Sequence, residues 1–262
     1  MTTVVDFAKW RRDGHAISMV TCYDSTMAKL VARSSIDCIL VGDSVAMTIH
    51  GHNDTLAATV ELMGLHVAAV RNGAPEKFII GDMPFLAHRG SIDRTIDAVA
   101  TIMRAGAQAV KVEGVTDGGQ LLRHIVESGV PVMGHLGLTP QSVHGFGGFR
   151  VQAKTDEAAA RILHDAKAVE DAGCFALVLE AVPSDVAKHV TDQVSIPTIG
   201  IGAGPHTSGQ VLVLQDLLGL NIDFKPRFVR RFLDGADLVT RALDDYDGAV
   251  KRGEFPTLHE GY

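Results

Sequence analysis

CILVGDSVAMTIHGHNDTLAATVE, residues 38–61, decides the fold. Its apolar run, Cys38 to Val41, is too short for a helix and stops at Gly42; a carboxylate and a hydroxyl, Asp43 and Ser44, follow at once. Such a run reads as a buried parallel strand that delivers polar groups at its C-terminal end. The arrangement recurs. KFIIGD (77–82) ends on Asp82, and AVKVEG (109–114) carries Lys111 and Glu113. Three strand ends with chemically useful side chains describe a site built where parallel strands finish.

Outward from these stretches the chain keeps one rhythm: short apolar strand, polar turn, helix. AISMVTCYD (16–24) precedes a helix over 25–35, and a helix over 59–72 follows a long loop to Thr55. Ser91 is placed to cap IDRTIDAVATIMRAG, with Gly106 as its stop, and Thr155 or Asp156 to cap the helix that ends at Gly173. VPVMGHLG, FALVLEAVP and IPTIGIGAG supply further strands, and GQVLVLQDLLGL a short eighth, though its length also allows a helix. Eight strands alternating with helices in 262 residues predict an α/β fold, a (β/α)8 TIM barrel. The expectation is a single barrel domain over residues 1–262 with C-terminal helices, RFVRRFLDGADLVTRALDDYDGAVKRG, and a short tail. A doubly wound sheet would need a glycine fingerprint after its first strand, where TCYDSTM offers none. Gly200, Gly202 and Gly204 come late and suit a tight turn or a ligand contact.

Composition narrows the function. The net charge is −7 with no basic run beyond isolated arginine pairs, and aromatics are five per cent, so nucleic-acid binding is not expected. Three cysteines, Cys22, Cys38 and Cys174, lack zinc spacing or an even count. Cys38 and Cys174 read as small core residues. MTTVVDFAKWRRDG has no apolar leader core, and no apolar run approaches the roughly 20 residues that span a bilayer. The expectation is a soluble cytoplasmic protein.

In a barrel all C-terminal strand ends open into one mouth, where chemistry sits. Asp43, Ser44, Asp82, Lys111, Glu113, His135 and Glu180 would therefore ring one cavity. Any one of them could equally cap a helix or bond a loop; the set is harder to dismiss. Acids that converge repel, by about 4 kcal/mol for one pair at ~4 Å and an effective dielectric of 20. Lys111 offsets one charge, and a divalent cation would offset two. Oxygen donors without thiolates, and without histidines at i, i+4, favour a hard ion such as Mg²⁺. A 2-oxo acid could chelate that ion; polarising its keto group acidifies the neighbouring C–H and leaves a metal-stabilised enolate. Glu180 is the candidate base, because the apolar surroundings of FALVLEAVP would raise its pKa.

GDSVAMTIHGHNDTLAATVE, GDMPF, VKVEG, PVMGHLGLTPQSVHGFGGFRVQAK, LEAVP and IPTIGIGAG together closely resemble the ketopantoate hydroxymethyltransferase family. GHLGLTPQS with FGGFRVQ is the specific part; GDS or GIGAG alone is weak. Val45-Ala46, where Leu-Gly is common, and the tail FPTLHEGY depart from the pattern and leave the chemistry alone. The resemblance implies Mg²⁺ on Asp43 and Asp82, with Glu113 joining directly or through water. It places the 2-oxo acid on Ser44 and Lys111, with Asp82 also lining its site, and makes Glu180 the proton acceptor. It implies 5,10-methylenetetrahydrofolate as co-substrate, 3-methyl-2-oxobutanoate as acceptor, a place at the start of pantothenate biosynthesis, and a homo-decamer. A Mg²⁺-dependent lyase or mutase of the phosphoenolpyruvate mutase type, or a non-catalytic 2-oxo-acid binding protein, are the rival readings.

Other residues invite a role. His135, at a strand end in GHLG, would bond substrate or orient a neighbour. His50 and His52 could reach the site or stay solvated in their loop; His66, His124, His164 and His189 fall in helices and read as surface residues. Tyr23 and Asp24 could line the cavity, though a turn cap explains Asp24 equally. The loop 141–154 could close over folate or pack at a subunit contact.

Overall fold

Eight parallel strands close into a barrel in chain order: β1 Ile17–Thr21, β2 Cys38–Val41, β3 Phe78–Asp82, β4 Ala109–Glu113, β5 Val132–Gly137, β6 Ala176–Glu180, β7 Thr198–Ile201 and β8 Gly209–Leu212. β8 returns to β1 with Ile17 opposite Gly209. The computed structural model describes residues 2–223 and 226–262. Helices α1 Val4–Asp13, α2 Ser25–Ala32, α3 Val45–Thr48, α4 Val60–Gly73, α5 Ile92–Arg104, α6 Gln120–Glu127, α7 Val143–Phe146, α8 Asp156–Asp171 and α9 Ser184–Gln193 precede or connect the strands. The expected (β/α)8 barrel is the fold found.

The expected caps form. Ser91 accepts from the N–H of Arg94 and Thr155 from that of Ala158, each satisfying one of a helix's unpaired N–H groups. Asp24 caps α2 through the N–H of Met27 at 2.9 Å, the turn-cap alternative. The long loop to Thr55 contains the short α3. Gly81 has no room for a side chain: a Cβ there would meet the methyl of Ile102 in α5, with Val67 of α4 3.3 Å away. That glycine lets two helices lie close on β3.

Strand side chains alternate between faces. Cys38 and Leu40, Phe78 and Ile80, and Ala176 and Val178 share the interior cluster. The same parity governs the site.

α1 was not expected, yet its signals are conventional. Thr3 and Asp6 form a capping box, and Gly14 ends the helix at φ 71°. The helix buries Phe7 completely against Phe78 and Phe175, with ring centroids 5.2 and 5.1 Å away. Because these partners sit where β3 and β6 begin, Phe7 plugs the end opposite the mouth. Phe7→Ala is expected to cost about 3–5 kcal/mol, the range for deleting a buried aromatic. Chemical denaturation would measure it, and a loss below about 1 kcal/mol would contradict the plug.

The chain divides into two compact units, residues 1–212 and 213–262. The second holds α10 Leu214–Leu217 and α11 Gly235–Lys251. The helix expected from residue 227 begins only at Gly235. The chain before it is bonded elsewhere, the N–H of Phe232 to the carbonyl of Leu217 and that of Gly235 to Leu218, both 2.9 Å. Among the described residues no helix is long and apolar enough to cross a membrane.

Candidate active site

The interior parity of β3 runs Phe78, Ile80, Asp82; that of β4 runs Ala109, Lys111, Glu113. β5 gives Met133 and His135, and β6 gives Ala176, Val178 and Glu180. Each strand thus fills the barrel with apolar groups and then presents charge at its C-terminal end. Register sets the neighbours: Asp82 lies opposite Lys111, and Glu113 opposite His135. Asp43 and Ser44 follow β2 into the same mouth. Six of the seven expected residues, Asp43, Asp82, Lys111, Glu113, His135 and Glu180, are linked in one network, while the Ser44 side chain bonds Tyr23.

The ammonium of Lys111 lies 2.9 Å from Asp82 Oδ2, 3.7 Å from Glu113 Oε1 and 3.1 Å from His135 Nδ1. The backbone N–H of Asp43 donates to Asp82 Oδ2 at 3.2 Å. His135 spans two acids, Nδ1 at 3.4 Å from Glu113 Oε1 and Nε2 at 3.2 Å from Glu180 Oε2. Tyr23, fully buried, bonds Ser44 hydroxyl to hydroxyl at 2.8 Å. One expectation changes. Glu180 is not in apolar surroundings: its side chain is 20% exposed and faces His135. Its apolar neighbour Leu179 belongs to the opposite face of the strand, and Ala181 lies past the strand's end at φ 47°.

Two contributors were not anticipated from sequence. The first is Gln141, buried in the loop after β5. Its Nε2 donates to Asp43 Oδ2 at 2.9 Å and to the carbonyl of Met83 at 2.8 Å, and its backbone N–H donates to Glu113 Oε2 at 3.1 Å. One residue thereby fixes groups at the ends of β2, β3 and β4. Gln141→Met keeps the volume and the backbone donor but drops both amide bonds. It is expected to weaken divalent-ion binding about 10–100-fold, as loss of an outer-shell partner does; calorimetric titration of the folded variant checks it. The second is His88. With Arg89 it donates to the carbonyl of Glu113, at 3.1 and 3.0 Å. Burial, then the charge of Arg89, pushes His88 down to about 4, so the ring is neutral and its donor is committed to that carbonyl.

The acids divide electrostatically. Burial first, then the charges of Asp82 and Glu113, raises Asp43 well above the usual carboxylate range. Burial likewise raises Asp82 in spite of Lys111. Glu113 goes the other way: its burial is outweighed by His135, Lys111 and the Gln141 N–H. Burial and Lys111 favour neutral His135, but its close approach to the carboxylates of Glu113 and Glu180 prevails and holds it up to about 9. A neutral ring could accept from Lys111 instead; with Glu113 and Glu180 facing its two nitrogens, the imidazolium is the form assigned.

Raised native pKa values of this kind stabilise the fold at low pH. The His135 contribution is complete below its ordinary 6.5 and is lost as pH rises through about 9. The raised aspartates act in the same direction above the ordinary carboxylate range. The metal-free protein is therefore expected to lose stability between pH 6.5 and 9.5, by an amount on the order of 3 kcal/mol from His135 alone. Thermal melting across that range is the check, and a flat profile contradicts the assignment.

Asp82 Oδ1 is buried without a hydrogen-bond partner, and Glu113 Oε1 has ionic neighbours but no aligned donor. Two buried aspartates with raised pKa values and a bare oxygen fit a hard cation. Among the described residues no three histidine, cysteine, aspartate or glutamate side chains form a group able to hold one ion.

A parallel barrel that gathers acids, an ammonium and an imidazolium at its C-terminal mouth has the build of an enzyme of the TIM-barrel class. Comparison with known proteins gives the particular family. The model of the ketopantoate hydroxymethyltransferase family matches residues 1–258, and the chain belongs to that family. A 3-methyl-2-oxobutanoate hydroxymethyltransferase from Coxiella burnetii is 54% identical over 254 residues, 97% of this chain and 96% of that one. One from Francisella tularensis is 48% identical over 262 residues, 100% and 99% of the two. The chain is thus a transferase by family. In structure it resembles a phosphonopyruvate hydrolase solved with oxalate and Mg²⁺, at TM-score 0.64, covering 99% and 93% of the two chains. At 11% identity that likeness shows the fold alone.

Proposed function

We propose that the chain transfers a hydroxymethyl group from 5,10-methylenetetrahydrofolate to 3-methyl-2-oxobutanoate, giving 2-dehydropantoate at the start of pantothenate biosynthesis. The observation that carries this reading, beside family membership, is the buried pair Asp43 and Asp82 with Asp82 Oδ1 unpartnered. These two aspartates would hold Mg²⁺, with Glu113 engaged through water. Bound there, the ion would polarise the keto oxygen and acidify the C3 hydrogen. The oxalate and Mg²⁺ of the hydrolase support the choice by analogy, since oxalate offers two chelating oxygens as a 2-oxo acid does.

The remaining roles fall to side chains. Lys111 and Ser44 bind the oxo acid, the ammonium neutralising its carboxylate beside Asp82, and Tyr23 holds the Ser44 hydroxyl. Glu180 takes the C3 proton. His135 positions Glu180 through Nε2 and ties it to Glu113 through Nδ1. The C3 carbanion forms a C–C bond to the methylene carbon while that carbon's bonds to the two folate nitrogens break. Water supplies the hydroxyl, the C3 proton and the second water proton end on those nitrogens, and tetrahydrofolate leaves. Incubation with both substrates and Mg²⁺ should give ketopantoate; none from folded protein would overturn the reading. Folate-independent turnover would favour a lyase or mutase. Binding without C3 hydrogen exchange in deuterated water would favour a binding protein.

Assembly as a cytoplasmic homo-decamer belongs to the same reading. Val239, Leu243, Tyr246 and Val250 leave an exposed apolar stripe on α11 at spacings of four, three and four, which suits a helix-borne contact.

A further inference from the structure

We propose that His50 and His66 form a second metal site, one for a tetragonal divalent cation such as Cu²⁺ or Ni²⁺, separate from the oxygen-lined mouth. His50 lies just beyond α3 and His66 in the second turn of α4. Their Nε2 atoms are 3.0 Å apart and their rings stand at 75°. His66 was expected on the surface, but it is half-buried, and its Nδ1 lies 2.6 Å from the carbonyl of Tyr23. A carbonyl only accepts, so Nδ1 carries the hydrogen and the Nε2 lone pair of His66 points at His50. A ligating histidine almost always has its other ring N–H anchored in this way.

Without an ion, the spacing is that of an ordinary N–H···N hydrogen bond donated by His50. That bond holds the two nitrogens at a useful separation. Ligands about 2.1 Å from an ion sit about 3.0 Å apart at a right angle and about 3.4 Å apart at a tetrahedral one. The pair therefore suits square-planar or tetragonal ions better than tetrahedral zinc. Binding needs no net proton loss: the Nε2 hydrogen of exposed His50 moves to Nδ1 through solvent, freeing its lone pair. Among the described residues no third side chain of a ligating type completes the site, so water fills the other positions. An ion there would join the segment after β2 to α4 and to Tyr23, whose hydroxyl bonds Ser44.

The full chain, freed of metal, would be titrated with Cu²⁺ or Ni²⁺ by calorimetry, and the Cu²⁺ form examined by electron paramagnetic resonance. One ion per chain with coupling to two ring nitrogens is expected. His50→Gln removes an exposed ligand and should lower affinity at least about tenfold, whereas His52→Gln should not. Asp82→Asn should retain the two-nitrogen signal, which separates this site from the carboxylates. A spectrum without two-nitrogen coupling, or His50→Gln binding as tightly as the unaltered chain, would overturn the proposal. His66→Gln also loses the bond to Tyr23, so its melting temperature would be read beside its affinity, and undiminished affinity in the folded variant counts against the site.

Discussion

Asp82→Ala is expected to lose Mg²⁺ affinity by more than about 100-fold and to unfold about 3 kcal/mol more easily. The first effect removes one of two carboxylates able to ligate the ion directly, where outer-shell changes alone cost 10–100-fold. The second follows from Lys111, buried and 2.9 Å from Asp82. Taking one partner from a buried ion pair strands the other, at about 3–5 kcal/mol. Here the loss should sit at the low end, because Glu113 remains 3.7 Å from the ammonium and Asp43 loses a repelling neighbour. Asp82→Asn separates the two effects: it keeps the volume and a carbonyl acceptor for Lys111, so it should fold well and still bind Mg²⁺ poorly. Calorimetric titration decides. Unchanged affinity in either folded variant would remove Asp82 from the metal site.

The legible part of this site was the part that obeys a period of two. Once KFIIGD and AVKVEG are read as strands, Asp82 must share a face with Phe78 and Ile80, and Glu113 with Lys111, whatever the loops do. The barrel follows from eight such runs. Three things escaped for one reason: a side chain's surroundings depend on chain segments distant in sequence. Glu180 has apolar neighbours in sequence, but alternation turns Leu179 away, and the group Glu180 meets is His135 of the adjacent strand. Gln141 occupies a loop with no period, and its donors meet Asp43, Met83 and Glu113 only once β2 to β5 stand side by side. His66 reads as a helix-surface residue until Tyr23, more than forty positions earlier, supplies its carbonyl. α1 is a mixed case. Its Thr3–Asp6 box and Gly14 stand in the sequence, but the partners of Phe7, Phe78 and Phe175, lie far along the chain.

Glu180→Gln is expected to lower kcat by about 10²–10⁴-fold, the usual worth of a positioned general base, and to change KM by less than about threefold. The amide is nearly isosteric, and its carbonyl can still face His135 Nε2, so the surroundings that place the residue survive. What it cannot do is take a proton. Exposure sharpens the test: with 20% of its side chain open to water, Glu180 can trade an abstracted proton with solvent before the donor arrives. Wild-type protein with Mg²⁺ and 3-methyl-2-oxobutanoate alone should therefore exchange the C3 hydrogen in deuterated water, and the variant should slow that exchange by the factor seen in kcat. Exchange at the wild-type rate would exclude Glu180 as the base. Slow exchange joined to a large rise in KM would instead assign the residue to substrate binding, because an interaction made only in the transition state lowers kcat and kcat/KM together.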